Sequence, residues 1–161
     1  MTPFVITTPR LDLVLQTPEE TLAWVESLPP ADRAEVSEEW IAQVRATAAG
    51  DPWSLSFRVV ERESGITVGG CGFKGPPNHE QVVELAYEID EPYRGRGFAA
   101  EAAAALTRFA LAHNRVQIVR AHTRPDNGPS TRVLARCGFH RLGPFHDPED
   151  GLVDRWEKSS D

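Results

Sequence analysis

Two stretches of this chain hold residues whose types and spacing could do chemistry. Arg94-Gly95-Arg96-Gly97-Phe98-Ala99 sets two glycines and two arginines between an alternating apolar run and an alanine-rich helical one. A strand-to-helix turn of that composition leaves backbone N–H groups unpaired at the positive end of a helix dipole, and glycine lets an anionic diphosphate approach them. The second stretch is Val82 to Ile89, where period-two alternation puts Glu84, Ala86 and Glu88 on one face and Leu85, Tyr87 and Ile89 on the other. Carboxylates on a strand can take a proton from a reacting amine. Alone, the turn reads equally as a plain connection, and the carboxylates nearly as well as a solvated sheet face.

Gly95-x-Gly97-x-x-Ala100 also satisfies a dinucleotide-binding fingerprint. That motif needs an apolar strand running straight into its first glycine and an acidic residue about 20 positions on. Here Glu91-Pro92-Tyr93-Arg94 intervenes, and Ile118 to Thr123 holds Arg120 and His122 but no carboxylate. No Gly-Lys-Ser or Gly-Lys-Thr follows, so the Walker pattern fails as well.

The surrounding elements are readable from periodicity and caps. Leu11, Leu13 and Leu15 alternate as an opening strand. Thr17-Pro18-Glu19-Glu20 starts a helix with a capping hydroxyl, a proline and a returning carboxylate, and Pro29-Pro30 stops it. A second helix is expected from about Asp32 to Ala49, carried by Val36, Trp40, Ile41 and Val44. Strands near Ser54–Glu61, Ile66–Phe73 and Val82–Ile89 form a meander, with a hairpin turn at Glu63-Ser64-Gly65. Helical spacing returns from Ala99 to Ala110, then a strand from Val116 to Thr123 and a short helix from Pro129 to Cys137 with Gly138 just past it. Phe139–Phe145 and Leu152–Glu157 close the chain as a hairpin around His146 to Gly151.

Composition narrows the function classes. The chain has 161 residues, 40% hydrophobic and 25% charged, with a formal net charge of -7. One α+β domain over residues 1–161 is the economical reading. The negative charge argues against binding nucleic acid and mildly favours a cationic or neutral substrate. No basic stretch leads into an apolar run after Met1-Thr2-Pro3-Phe4, and the longest apolar segment is broken by Glu101, Thr107 and Arg108, so neither secretion nor a membrane is signalled. Cys71 and Cys137 read as reduced core thiols rather than metal ligands, which fits a cytoplasmic location. His122, alone on a strand, reads as structural.

Taken together, the motifs resemble the GNAT acetyltransferase superfamily. Arg94-x-x-Gly97-x-Ala99 is similar to its Arg/Gln-x-x-Gly-x-Gly/Ala signature, and Thr8-Pro9-Arg10-Leu11-Asp12-Leu13 looks like the opening strand of the Rim-type branch. Asn127-x-x-Ser130-x-x-Val133-Leu134-x-x-x-Gly138-Phe139 resembles the same branch's Asn-x-x-Ser and Gly-Phe elements. The resemblance covers nearly the whole chain. It implies a mixed, mostly antiparallel sheet splayed in the middle, with helices on both faces, and acetyl-CoA as acetyl donor. The acceptor would be a small-molecule amine, an amino acid or a protein N-terminus, in a direct transfer through a ternary complex.

The same resemblance implies roles for individual residues. Arg94, Gly95, Arg96, Gly97, Phe98 and Ala99 would hold the pyrophosphate, and Asn127 and Ser130 the pantetheine arm. Glu84, in a Glu-x-x-Tyr element with Tyr87, would take the amine's proton, with Glu88 in reserve. A splay around Ile89 and Asp90 would free a backbone N–H for the oxyanion. Many members protonate the leaving thiolate with a tyrosine where this chain has Leu134, so that role falls to Ser130, to water or to nothing. The acceptor groove would lie between Ser27–Glu38 and Pro144–Asp154, where Asp32, Glu35, Glu38, Asp147, Glu149 and Asp150 would favour a cation. A non-catalytic acyl-CoA-binding or sensor domain is the alternative, and the oligomeric state stays open between monomer and homodimer.

Overall fold

The computed structural model describes residues 4–148 and 150–160; Met1-Thr2-Pro3, Glu149 and Asp161, and the readings placed on them, lie outside. One eight-stranded sheet runs through it in the order β1-β2-β3-β4-β5-β6-β8-β7. Its strands are β1 (Val5–Thr7), β2 (Leu11–Leu15), β3 (Phe57–Glu61), β4 (Ile66–Phe73), β5 (Val82–Ile89), β6 (Ile118–Thr123), β7 (His140–Asp147) and β8 (Gly151–Ser159). The helices are α1 (Pro18–Ser27), α2 (Pro30–Ala34), α3 (Glu38–Ala46), α4 (Phe98–Leu111) and α5 (Gly128–Arg136).

Local chemistry accounts for most boundaries. Thr17 and Glu20 close a reciprocal capping box that starts α1. The single helix expected from Asp32 to Ala49 is instead two, because the Ser37 side chain accepts from Trp40 N and starts α3 afresh. β1 was not expected at all: three residues on the sheet edge carry too little alternation to read. Thr8, Pro9 and Arg10 form the turn between β1 and β2, so the strand expected there begins at Leu11.

α4 is built to sit close to the sheet. Ala102, Ala103, Ala105, Leu106 and Ala110 are buried along it, and they join Leu11, Leu13, Phe57, Val59, Leu85 and Ile89 in a continuous core. Small side chains let the helix backbone approach, and Gly69 does the same within the sheet, where a Cβ would fall 2.2 Å from Glu88 O.

β5 and β6 run parallel, as a crossover through α4 requires, and they pair only over Val82↔Ile118, Val83↔Val119 and Glu84↔Arg120. On its other side β5 stays paired with β4 from Leu85↔Phe73 to Ile89↔Gly69. The sheet therefore opens between β5 and β6 beyond Glu84. Lys74 N donates to Glu84 O and Asp90 N to Val68 O, so even-numbered backbone groups of this segment turn toward β4. Strand alternation turns those of Leu85, Tyr87 and Ile89 toward the gap.

Candidate active site

At the far end of β5, a 3-10 turn (Glu91–Tyr93) leads into Arg94 to Gly97 and the start of α4. Gly95 and Gly97 both adopt left-handed backbone, with φ of 83° and 82°, and Gly97 caps α4 without a side-chain hydrogen bond. The first amides of α4 thus stay open to an anion. A cleft of about 530 Å³ lies over this turn, lined by Arg10, Gly95, Arg96, Gly97, Arg136 and Cys137 along with Ala100, Glu101 and Ala104 of α4. Three arginines and the open helix start suit the diphosphate of a CoA-type cofactor. A Cβ at Gly97 would crowd Arg10 Nη2 at 3.2 Å.

Arg10 reaches the turn because Glu101 holds the β1–β2 connection against α4. Thr8 Oγ1 donates to Glu101 Oε2 at 2.5 Å, Arg10 N to the same oxygen at 2.8 Å, and Arg10 Nε to Oε1 at 2.8 Å. Arg10 Nη1 then donates to Arg96 O at 2.8 Å, and the guanidinium lies 4.8 Å over the Phe98 ring. Burial raises the Glu101 carboxyl, but the bonds from Thr8 and Arg10 outweigh it and hold the group below its usual range. Arg10, Glu101, Arg136 and Cys137 were not among the expected cleft residues; Arg10 entered only within the motif read as an opening strand, and the other three carried no local signal.

Of the expected cofactor residues, Gly95, Arg96 and Gly97 line the cleft. Phe98 buries its side chain and Ala99 packs against the core, leaving their backbone to the turn. Arg94 folds back, donating from Nε to Ile89 O at 2.7 Å. The freed amide expected around Ile89 and Asp90 is halved: Asp90 N is engaged by Val68 O at 2.8 Å, and only Ile89 faces the gap. Asn127 caps α5, its Oδ1 accepting from Ser130 N at 3.0 Å.

At the closed end of the gap Glu84 is held by two groups on one oxygen. His122 Nδ1 and Lys74 Nζ each lie 3.0 Å from Oε2, so Oε1 is the oxygen without a hydrogen bond among the described residues. Arg155 Nε donates to His122 Nε2 at 3.0 Å, and Phe145 stacks on the imidazole at 5.6 Å and 11°. Burial pulls the Lys74 ammonium down, but Glu84, Asp150 and Asp147 more than reverse it, so its pKa rises. Glu88 is 82% exposed, with Arg94 Nη2 at 4.0 Å from its carboxylate. Lys74 and Arg155 thus set positive charge close to Glu84 and His122.

Two further hydroxyls meet across the gap. Tyr87 Oη lies 2.9 Å from Ser130 Oγ, while Leu134 is fully buried in the core. Among the described residues no group of His, Cys, Asp or Glu could hold a metal ion, and no helix is long and apolar enough to cross a membrane.

Comparison with known proteins agrees with this geometry. The acetyltransferase (GNAT) domain model matches residues 6–140. The uncharacterized N-acetyltransferase YjdG of Bacillus subtilis is 31% identical over 84 residues, 52% of this chain and 50% of its own length. The chain thus spans about half the length of the curated relatives it matches. A GNAT-family acetyltransferase from Bacillus anthracis superposes with a TM-score of 0.69 at 22% identity, covering 97% of this chain and 98% of its own. The ribosomal-protein-S5-alanine acetyltransferase of Vibrio fischeri gives 0.73 at 14% identity, covering 98% and 97%. Both share its fold.

Proposed function

The chain belongs to the GNAT acetyltransferase family, and from that premise we propose that it is an acetyl-CoA-dependent N-acetyltransferase acting on a primary amine. The observation that carries this reading is the opening between β5 and β6, with Glu84 at its closed end and the Gly95–Gly97 turn at the other. The two are five strand residues and a short turn apart, and the strand part alone is about 17 Å at roughly 3.3 Å per residue. A diphosphate at the turn therefore leaves room for an extended arm along the freed edge of β5.

When bound, acetyl-CoA supplies the thioester carbonyl that accepts the amine and the sulfur that leaves. Gly95, Gly97 and the open amides of α4 bind the diphosphate, and Arg10, Arg96 and Arg136 add charge around it. Ile89 N, turned toward the gap, is the donor available to a developing oxyanion. Glu84 takes the amine's proton through Oε1, while His122 and Lys74 fix Oε2. Ser130 is the hydroxyl for the sulfur. The acceptor class that fits is a small-molecule amine, an amino acid or a protein N-terminus, the last in keeping with the Rim-type motifs, and no nucleic acid or membrane partner is needed.

A second reading, a non-catalytic acyl-CoA-binding domain, is favoured by one observation: Leu134, fully buried, stands where many relatives present a tyrosine. Thermal shift with acetyl-CoA and free CoA tests what the two readings share, since cofactor at 100 times its dissociation constant stabilises by about 2.7 kcal/mol. No shift at saturation would sink both. Acetyl-CoA consumption over a panel of amines, amino acids and short peptides separates them, with turnover expected and Glu84→Gln lowering it about 100-fold or more.

A further inference from the structure

The tyrosine missing from α5 has a counterpart on another element. Tyr87 projects from β5, the strand bordering one side of the gap, and Ser130 from the first turn of α5, which follows the strand on the other side. Their hydroxyls lie 2.9 Å apart, so the contact bridges the opening. Asn127 holds the first turn of α5 through Ser130 N, which fixes where the Ser130 hydroxyl sits.

We infer that Tyr87 and Ser130 form the hydroxyl pair that returns a proton to the departing sulfur, a role that rests on the acetyl-transfer reading above. As the amine nitrogen bonds to the carbonyl carbon and the C–S bond breaks with its electron pair on sulfur, Ser130 gives its proton to that sulfur. Tyr87 replaces the Ser130 proton in the same motion, and solvent reprotonates the phenolate. The proton lost by the amine leaves through Glu84, so an amine and a thioester give an amide and a thiol with nothing left over. Burial pushes the Tyr87 phenol up against the lowering pull of the Ser130 bond, which keeps it in the donating form at neutral pH. A lone serine hydroxyl is a poor acid; a second hydroxyl behind it takes up the charge it would otherwise hold.

The test compares wild type with Tyr87→Phe, Ser130→Ala and the double variant. The expected result is a fall in kcat of about 100-fold in each single variant, no further fall in the double, and KM for acetyl-CoA within about twofold of wild type. A second readout needs no turnover. By calorimetry above pH 9, wild type should bind CoA about tenfold more tightly than desulfo-CoA, and both single variants should lose that preference. Thermal melting establishes that each variant is folded. A kcat loss below about tenfold, a loss carried by KM instead, or a retained preference for the thiol overturns the inference. Wild-type inactivity across the amine panel would instead remove the acetyl-transfer reading, and the inference with it.

Discussion

The imidazole of His122 meets the carboxylate of Glu84 at 3.0 Å; Glu84 closes the β5–β6 pairing opposite Arg120, and His122 stands two residues further along β6. Arg155 decides which way the proton points. A guanidinium only donates, so His122 Nε2 must carry its lone pair toward Arg155, and Nδ1–H must donate to Glu84. His122 thus sits between Arg155 and Glu84, with Phe145 stacked on its ring.

Nitrogen-detected NMR at about pH 7 should accordingly find His122 as the Nδ1–H tautomer. His122→Ala leaves both Arg155 and Glu84 short of a partner and should cost about 1–3 kcal/mol in urea unfolding. His122→Asn, which can still offer a donor to Glu84, should recover part of any loss in kcat. Equal stability of His122→Ala and wild type would show that the chain of contacts contributes nothing.

The phosphate turn can be tested by adding one methyl group. Gly95 and Gly97 share nearly the same left-handed backbone, so alanine at either should cost about 1–2 kcal/mol. Their surroundings differ. A Cβ at Gly95 meets nothing within 4 Å, whereas one at Gly97 lies 3.2 Å from Arg10 Nη2. Gly97→Ala should therefore lose more CoA affinity than Gly95→Ala by calorimetry, although their melting temperatures fall together.

The Glu101 latch predicts an acid-side signature. Its carboxyl is held below the ordinary value of 4.5 by Thr8 and Arg10, against the opposing pull of burial. A lowered folded pKa gives stability that is fully present above the unfolded value and is lost as pH falls through the folded one. Glu101→Gln should thus be less stable than wild type by about 1–3 kcal/mol near neutral pH. The gap between their unfolding midpoints should narrow below pH 4.5. A gap that stays constant with pH would remove the charge of Glu101 from the account.

These relationships mark where sequence reading ends. The Thr17–Glu20 capping box, the alternation of Val82 to Ile89 and the glycines of the turn are local patterns, and each appears at the expected residues. Glu84 with His122, and Arg10 with Glu101, are separated by 38 and 91 residues. The first pair depends on the register of two parallel strands and the second on where α4 crosses the β1–β2 turn, and neither strand nor helix states that in its own sequence. The break at Ser37 was obscured for another reason: Val36, Trp40, Ile41 and Val44 keep helical spacing straight across it, and only the cap reveals that the chain restarts.

The two thiols give an independent check on the cofactor cleft. Burial pushes Cys71 up to about 12, and its side chain lies in the core beneath the sheet. Cys137 is also raised by burial, but Lys158, Arg136 and Arg108 pull it back, and it lines the cleft beside Arg136. The thiolate is the reactive form, so a chromogenic disulfide reagent at about pH 8 should modify Cys137 slowly and leave Cys71 untouched until the protein is unfolded. Desulfo-CoA, which fills the cleft without a thiol to exchange, should slow the Cys137 reaction in proportion to its occupancy. Cys137→Ser should abolish the native-state reaction while leaving CoA affinity nearly intact. Labelling of Cys137 at the same rate with and without saturating desulfo-CoA would mean that the cleft bounded by Arg10, Gly97 and Arg136 is not where the nucleotide sits.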